Sequence, residues 1–331
     1  MSYSKNSDKL TVVMYHYVRD LAYSRYPGIK GCDVQLFKEQ IGYIKKYYNP
    51  VTVEQVMECQ STHQELPDHP ILLTFDDGYA DHFDYVFPIL YHEHIQGAFF
   101  APVKAITEHT VLDVNKIHFI LAATPQEQFD TLLSEIKHQL DVYRDEYDLK
   151  SYEYYFNKLA VPNRWDSGEV IFVKRLLQRE LDEDLRKIIT DIIFQKVLGV
   201  DEDTFSRELY MSMDQIKCMV DCGMHIGSHG YDHYWLGSLS KEKQEFEIAK
   251  SIDFIKEVGG DALNWTICYP YGNYNDDTIA LLKKHGCKMG FTCEVALADF
   301  TTKDIDVLFK IPRLDVNDLP KDSHAAVNEW Y

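Results

Sequence analysis

The stretch that most constrains this chain is Ile71-Leu72-Leu73-Thr74-Phe75-Asp76-Asp77-Gly78-Tyr79. Apolar and β-favouring residues run straight into two adjacent carboxylates and a glycine, the pattern of a buried strand whose far end carries charge. Two carboxylates at a strand end lose hydration and repel each other, so a cation or a proton has to settle them. A solvated Asp-Gly turn would need no chemistry at all. Taken alone the stretch favours that turn, and its company further along the chain reverses the reading.

Around it, short apolar runs alternate with helical patterns. Thr11–Tyr15 reads as a strand ending at His16. Asp33 is placed to cap a helix with Phe37, Ile41, Ile44 and Tyr48 on one face, stopped by Asn49-Pro50. Val51–Val53 reads as a strand, a helix-like segment runs from Tyr85 to His94, and Gly97–Pro102 is the next buried strand. From about 105 to 210 the pattern is helical throughout, with Phe129, Leu132, Leu133, Ile136, Leu140 and Tyr143 on one face. The alternation resumes at Met213, where Asp214 can cap a helix. Strands follow at Met224–Gly227, Trp265–Tyr269 and Cys287–Cys293. This predicts an α/β chain: a discontinuous (β/α) barrel over 1–104 and 211–331, with a mainly helical insertion, a lid or subdomain, over 105–210.

The formal net charge of −19 argues against nucleic acid as a partner. No run approaches 18 apolar residues, so no membrane span is expected. The N-terminus lacks the apolar core of a secretory signal. Seven cysteines without a Cys-x-x-Cys pair read as reduced thiols, and the expectation is a cytoplasmic protein. Nothing in the sequence sets the oligomeric state.

In a parallel barrel the C-terminal strand ends converge on one face, where sites sit. Here those ends supply Asp76-Asp77, then Ser228-His229-Gly230-Tyr231-Asp232-His233, then Tyr269-Pro270-Tyr271-Gly272. Two histidines at i and i+4 can face one cation if the segment makes a helical turn. With one carboxylate they make three ligands and leave positions open, as in a catalytic metal site. One aspartate would bind the metal, and its neighbour would take a proton from water.

Taken together, Thr74-Phe75-Asp76-Asp77-Gly78, Ser228–His233 and Tyr269–Gly272 resemble the polysaccharide deacetylase (NodB-homology, carbohydrate esterase type) family. The resemblance implies a distorted or incomplete (β/α) barrel and metal-dependent hydrolysis of an acetyl group on a sugar. Carried over position by position, it implies Asp77, His229 and His233 as metal ligands and Asp76 as the base activating metal-bound water. The Tyr271 backbone N–H would stabilise the oxyanion. Zinc suits the ligand set, and cobalt, nickel or iron also accept it.

Two positions depart from the family pattern. Many members carry an arginine just before the third motif, where this chain has Ile267-Cys268; Arg313, in Pro312-Arg313-Leu314-Asp315, is the candidate to reach Asp76 instead. The Leu-x-His that often supplies the acid is missing. Some members place Tyr-His at the end of the first strand, as Tyr15-His16 does here, so His16 is assigned the proton for the leaving group. A base with its pKa near working pH would serve best.

The partner implied is an acetylated sugar or glycan intermediate, nucleotide-linked or lipid-linked, in glycan or cell-surface polysaccharide metabolism. Two other readings use the same residues: a metal hydrolase of another amide or ester, and an inactive carbohydrate-binding barrel. His82, His92 and His94 read as solvated helix residues. Lys116-Ile117-His118 reads as a helix face, and Asp113 and Asp315 are carboxylates at the edge of the site.

Overall fold

The computed structural model describes residues 9–62, 65–163, 166–299 and 305–331. The stretch 1–8, on which the expected absence of a signal rests, lies outside the described residues. Two compact units are present. One comprises Met1–Asp20, Gly31–His109 and Ser206–Tyr331; the other comprises Leu21–Lys30 and Thr110–Phe205.

The first unit is built on a curled, almost wholly parallel sheet. Strands β1 (Lys9–Tyr15), β2 (Pro70–Asp76), β3 (Gly97–Ala101), β4 (His225–Ser228), β5 (Thr266–Cys268) and β6 (Met289–Phe291) pair in that order. The short β7 (Ala298–Asp299) runs antiparallel along β1. All seven residues of β2 are buried, as expected for a strand covered on both faces of a parallel sheet.

The pleat sends alternate residues to two cores. Leu10, Val12, Leu72, Ala98, Phe100 and Phe291 share one apolar cluster. Tyr15 and Phe75 point the other way, onto Phe37 of α1 (Val34–Tyr47). That helix begins where Asp33 accepts the Gln35 N–H at 2.8 Å, a cap worth about 1 kcal/mol.

The edges of the sheet come together through one segment. Ile311 exchanges backbone hydrogen bonds with Gly290 and Thr292 beside β6. Two residues later β8 (Leu314–Asp315) pairs in parallel with β1, Leu314 opposite Val13. Arg313 sits between these two pairings, fully buried. Because β1 to β6 are parallel, His16, Asp76-Asp77, Ser228-His229 and Cys268 all leave the sheet at the same rim.

Three local expectations are corrected. The pairing near residue 50 involves Asn49–Pro50, and α2 (Val53–Thr62) starts where a strand was read. The helix Met213–Asp221 is capped by Ser212 in a capping box with Gln215, not by Asp214, because Ser212 satisfies the third amide of the turn. Tyr85 to His94 is a π-helical turn, His82–Val86, followed by a short α-helix, Phe87–His92.

Among its described residues the second unit contains only helices and turns, the longest being Glu183–Leu198. Its core carries Lys116, fully buried and paired with Asp191 and Glu202. No helix among the described residues is long and apolar enough to cross a membrane.

Candidate active site

The chain leaves β2 through two consecutive residues in the left-handed region, Asp77 (φ 72°) and Gly78 (φ 65°). Asparagine, aspartate and histidine tolerate this conformation better than other side chains. At residue 78 a Cβ would also lie 3.1 Å from the Ala101 Cβ, so glycine is required twice over. The sharp turn tucks the Asp77 carboxylate beneath the rim. Its Oδ2 accepts the Tyr79 hydroxyl at 2.5 Å. Its Oδ1 lies 3.3 Å from His229 Nε2 and 3.4 Å from His233 Nε2, and is buried without a hydrogen-bond partner.

The two histidines do not sit on a helical turn. Residues 229–233 form an irregular loop with positive φ at Gly230 and His233. Its backbone is satisfied from outside. The buried Glu247 of helix Lys241–Glu257 accepts the N–H groups of Tyr231 at 2.7 Å and Asp232 at 3.0 Å. The carbonyls of Gly230 and Tyr231 accept from Val103 and Lys104. Thus fastened, the loop brings both rings within 4.8 Å of each other. His229 Nδ1 lies 2.8 Å from the Cys268 carbonyl, which can only accept, so the proton is on Nδ1. In the neutral ring the Nε2 lone pair then faces Asp77.

The other carboxylate is fixed quite differently. Arg313 Nη1 donates to Asp76 Oδ1 at 3.0 Å and Nη2 to Oδ2 at 2.8 Å, a bidentate pair. The rest of the guanidinium reaches the Thr292 carbonyl and the Thr74 hydroxyl at 2.8 and 3.1 Å, so the fork is held along its whole edge. Cys268, where the family pattern often has arginine, turns its thiol to Asp76 Oδ2 at 3.2 Å. Burial alone would raise the Asp76 pKa; the Arg313 charge, with help from His229, brings it down to about 2. The guanidinium thus favours the ionised form of Asp76.

His16 follows β1 onto the same rim, its Nε2 3.9 Å from Asp76 Oδ2 and its side chain 43% exposed. Its carbonyl accepts from His82 Nε2 at 2.8 Å. His82 is therefore not a solvated helix residue. It is fully buried, as are Val86 and Leu90 at successive steps of four, its ring lies against Phe75, Tyr79 and Phe99, and burial lowers its pKa to about 4. His92 and His94 are exposed. Asp315 spends its carboxylate capping the turn Val316–Asp318, and Asp113 and His118 lie in the helical unit.

Tyr271 sits in the turn Pro270–Gly272 with φ 57° and ψ 14°. For an aromatic residue that conformation costs about 1–3 kcal/mol and persists only where its surroundings enforce it. The ring packs edge-on to His233 at 4.7 Å and stacks on Trp235 at 4.4 Å. Asp77, His233 and Tyr271, one from each motif, all have positive φ.

The donors fit a cation. An orphaned buried carboxylate oxygen and two imidazole nitrogens converge with all ligand atoms within 4.8 Å. An uncompensated buried carboxylate oxygen is costly, and a divalent ion bound by all three would remove that cost. Sequence reasoning missed Tyr79, His82, Glu247 and Cys268, each of which holds one of the motif residues.

Comparison with known proteins points the same way. Residues 196–290 match the polysaccharide deacetylase family. The chain is similar to the peptidoglycan deacetylase of Helicobacter pylori, 33% identical over 23% of this chain and 25% of that one. It is also similar to the poly-beta-1,6-N-acetyl-D-glucosamine N-deacetylase of Escherichia coli K12, 32% identical over 24% of this chain and 12% of that one. The matched stretch thus spans a quarter or less of these relatives' lengths. Its fold resembles Streptococcus pyogenes deacetylase PplD, solved with acetate, with a TM-score of 0.55 and 16% identity, covering 93% of this chain and 92% of that one. The family match and the curated relatives thus point to polysaccharide deacetylases over part of the chain, and the solved structure shares its fold.

Proposed function

We propose that this chain is a metal-dependent carbohydrate deacetylase that hydrolyses an N-acetyl group on a sugar or glycan. The observation that carries the reading is the split between neighbouring carboxylates. Asp77 presents a bare buried oxygen to two imidazole nitrogens, and Asp76 is tied as an anion to Arg313.

Asp77, His229 and His233 would hold the cation, zinc by donor set. When bound, it supplies Lewis-acid polarisation and lowers the pKa of water. The chain's own residues do the rest. Asp76 takes the proton as water adds to the acyl carbon, and Arg313 fixes the orientation in which it does so. The carbonyl electron pair moves to oxygen, where the Tyr271 N–H donates to the developing charge. The carbon–nitrogen bond then breaks as His16 delivers a proton to the leaving nitrogen, giving acetate and a free amine. A proton passed from Asp76 to His16, 3.9 Å apart, restores both groups.

The named relatives support an acetylated glycan as substrate, since their names specify peptidoglycan and an N-acetylglucosamine polymer. The test is acetate release from N-acetylated nucleotide sugars, oligosaccharides and polymers with added zinc, cobalt, nickel or iron, and Asp76→Asn as control. Release from at least one class, abolished in the control, is expected. No release from any substrate under any metal would overturn the reading.

A further inference from the structure

The two oxygens of Asp77 are in opposite situations. Oδ2 accepts the Tyr79 hydroxyl at 2.5 Å, whereas Oδ1 faces both imidazoles and has no hydrogen-bond partner. A carboxylate can bind a cation through one oxygen or chelate it through both, and chelation requires both to be available. The geometry points to Tyr79 as a positioning residue that keeps Asp77 monodentate, and so sets the coordination number of the cation held by Asp77, His229 and His233. The inference rests on the metal site proposed above.

Tyr79 has little freedom to do anything else. It is fully buried, its ring lies 4.1 Å from that of Tyr17 at 18° and 6.1 Å from that of Tyr210 at 10°. Its backbone forms a bridge to Tyr210. The Asp77-Gly78 turn delivers it straight back to the carboxylate two residues earlier. An ionised carboxylate only accepts, so the phenolic hydrogen points at Oδ2. Two imidazoles and one oxygen leave more positions for water and a substrate oxygen than a chelating carboxylate would.

The test uses metal binding, not turnover. The metal-free protein is titrated with zinc and with cobalt against a chromophoric chelator, and the cobalt form is examined by absorption spectroscopy. In Tyr79→Phe, affinity should fall about 10- to 100-fold, the usual cost of deleting a hydrogen bond to a metal ligand. The cobalt bands should weaken as Oδ2 joins the coordination sphere. The wild type supplies a second measurement that needs no variant to fold. X-ray absorption of the zinc form should lack the short metal–carbon path of a chelating carboxylate. A chelating signature in the wild type, or unchanged affinity and bands in Tyr79→Phe, overturns the inference and leaves the metal site standing. A wild type that binds no divalent metal overturns both.

Discussion

Among the described residues two cationic side chains are fully buried, one in each unit, and they are held in different ways. Arg313 in the barrel meets a carboxylate that is itself 2% exposed and spreads its remaining donors over Thr292 and Thr74. Lys116 in the helical unit meets two carboxylates, Asp191 and Glu202, which are 37% and 35% exposed. Both ends of the first pair are out of water, so each depends on the other. In the second, the acids keep much of their hydration. Burial of a cation is thus a poor guide to its importance; burial of its partner is the better one.

Substitution in the barrel should have the largest effect. Asp76→Asn should lower the rate of acetate release by about 10²–10⁴-fold, the usual contribution of a positioned base. Circular dichroism should show the fold intact. A variant within tenfold of wild type would remove Asp76 from the proton-accepting role.

Arg313→Met leaves the Asp76 charge buried without its guanidinium partner, and chemical denaturation should show a loss of about 3–5 kcal/mol. Activity should fall with it. Unchanged stability and turnover would mean that Asp76 does not depend on the guanidinium.

A third buried group, His82, sharpens the contrast because it is held neutral and not paired. Its folded pKa is lowered to about 4 from 6.5. Between those values the unfolded chain binds a proton at this imidazole and the folded chain does not. Its contribution is therefore complete above about pH 6.5 and lost as pH falls toward 4, up to about 3 kcal/mol. Denaturation of His82→Gln at pH 7 and pH 4.5 should show a shallower decline than wild type; an identical decline counts against it.

The smallest effect is expected at Lys116→Met, which should change stability by about 1 kcal/mol or less, since both acids left behind reach water. A loss as large as that of Arg313→Met would dissolve the distinction between the two pairs.

The residues legible in the sequence are those whose chemistry stands in a short motif at a strand end. Asp76, Asp77, His229 and His233 announce themselves as charge where an apolar run stops, and the structure brings them together. Arg313 was reachable only by asking what could replace a missing cation. The residues that hold the motifs were not legible for a common reason: each acts through the backbone or a single oxygen. Glu247 lies on an amphipathic helix and binds two amide groups. Tyr79 closes the opening stretch yet carries no charge. His82 did leave a signal, its step of four to Val86 and Leu90, but its polarity outweighed that spacing.

The seam at Ile311–Asp315 sets the order in time in which the site can exist. His16 leaves the ribosome first and Asp76 soon after, but the guanidinium that holds Asp76 lies 237 residues further on. At about 5–20 residues per second, synthesis leaves that carboxylate without its cation for tens of seconds. The nascent barrel therefore cannot complete this rim until the segment carrying Arg313 has been made. A fragment ending before residue 313 would carry all three of the proposed metal ligands and still lack the group that anchors Asp76.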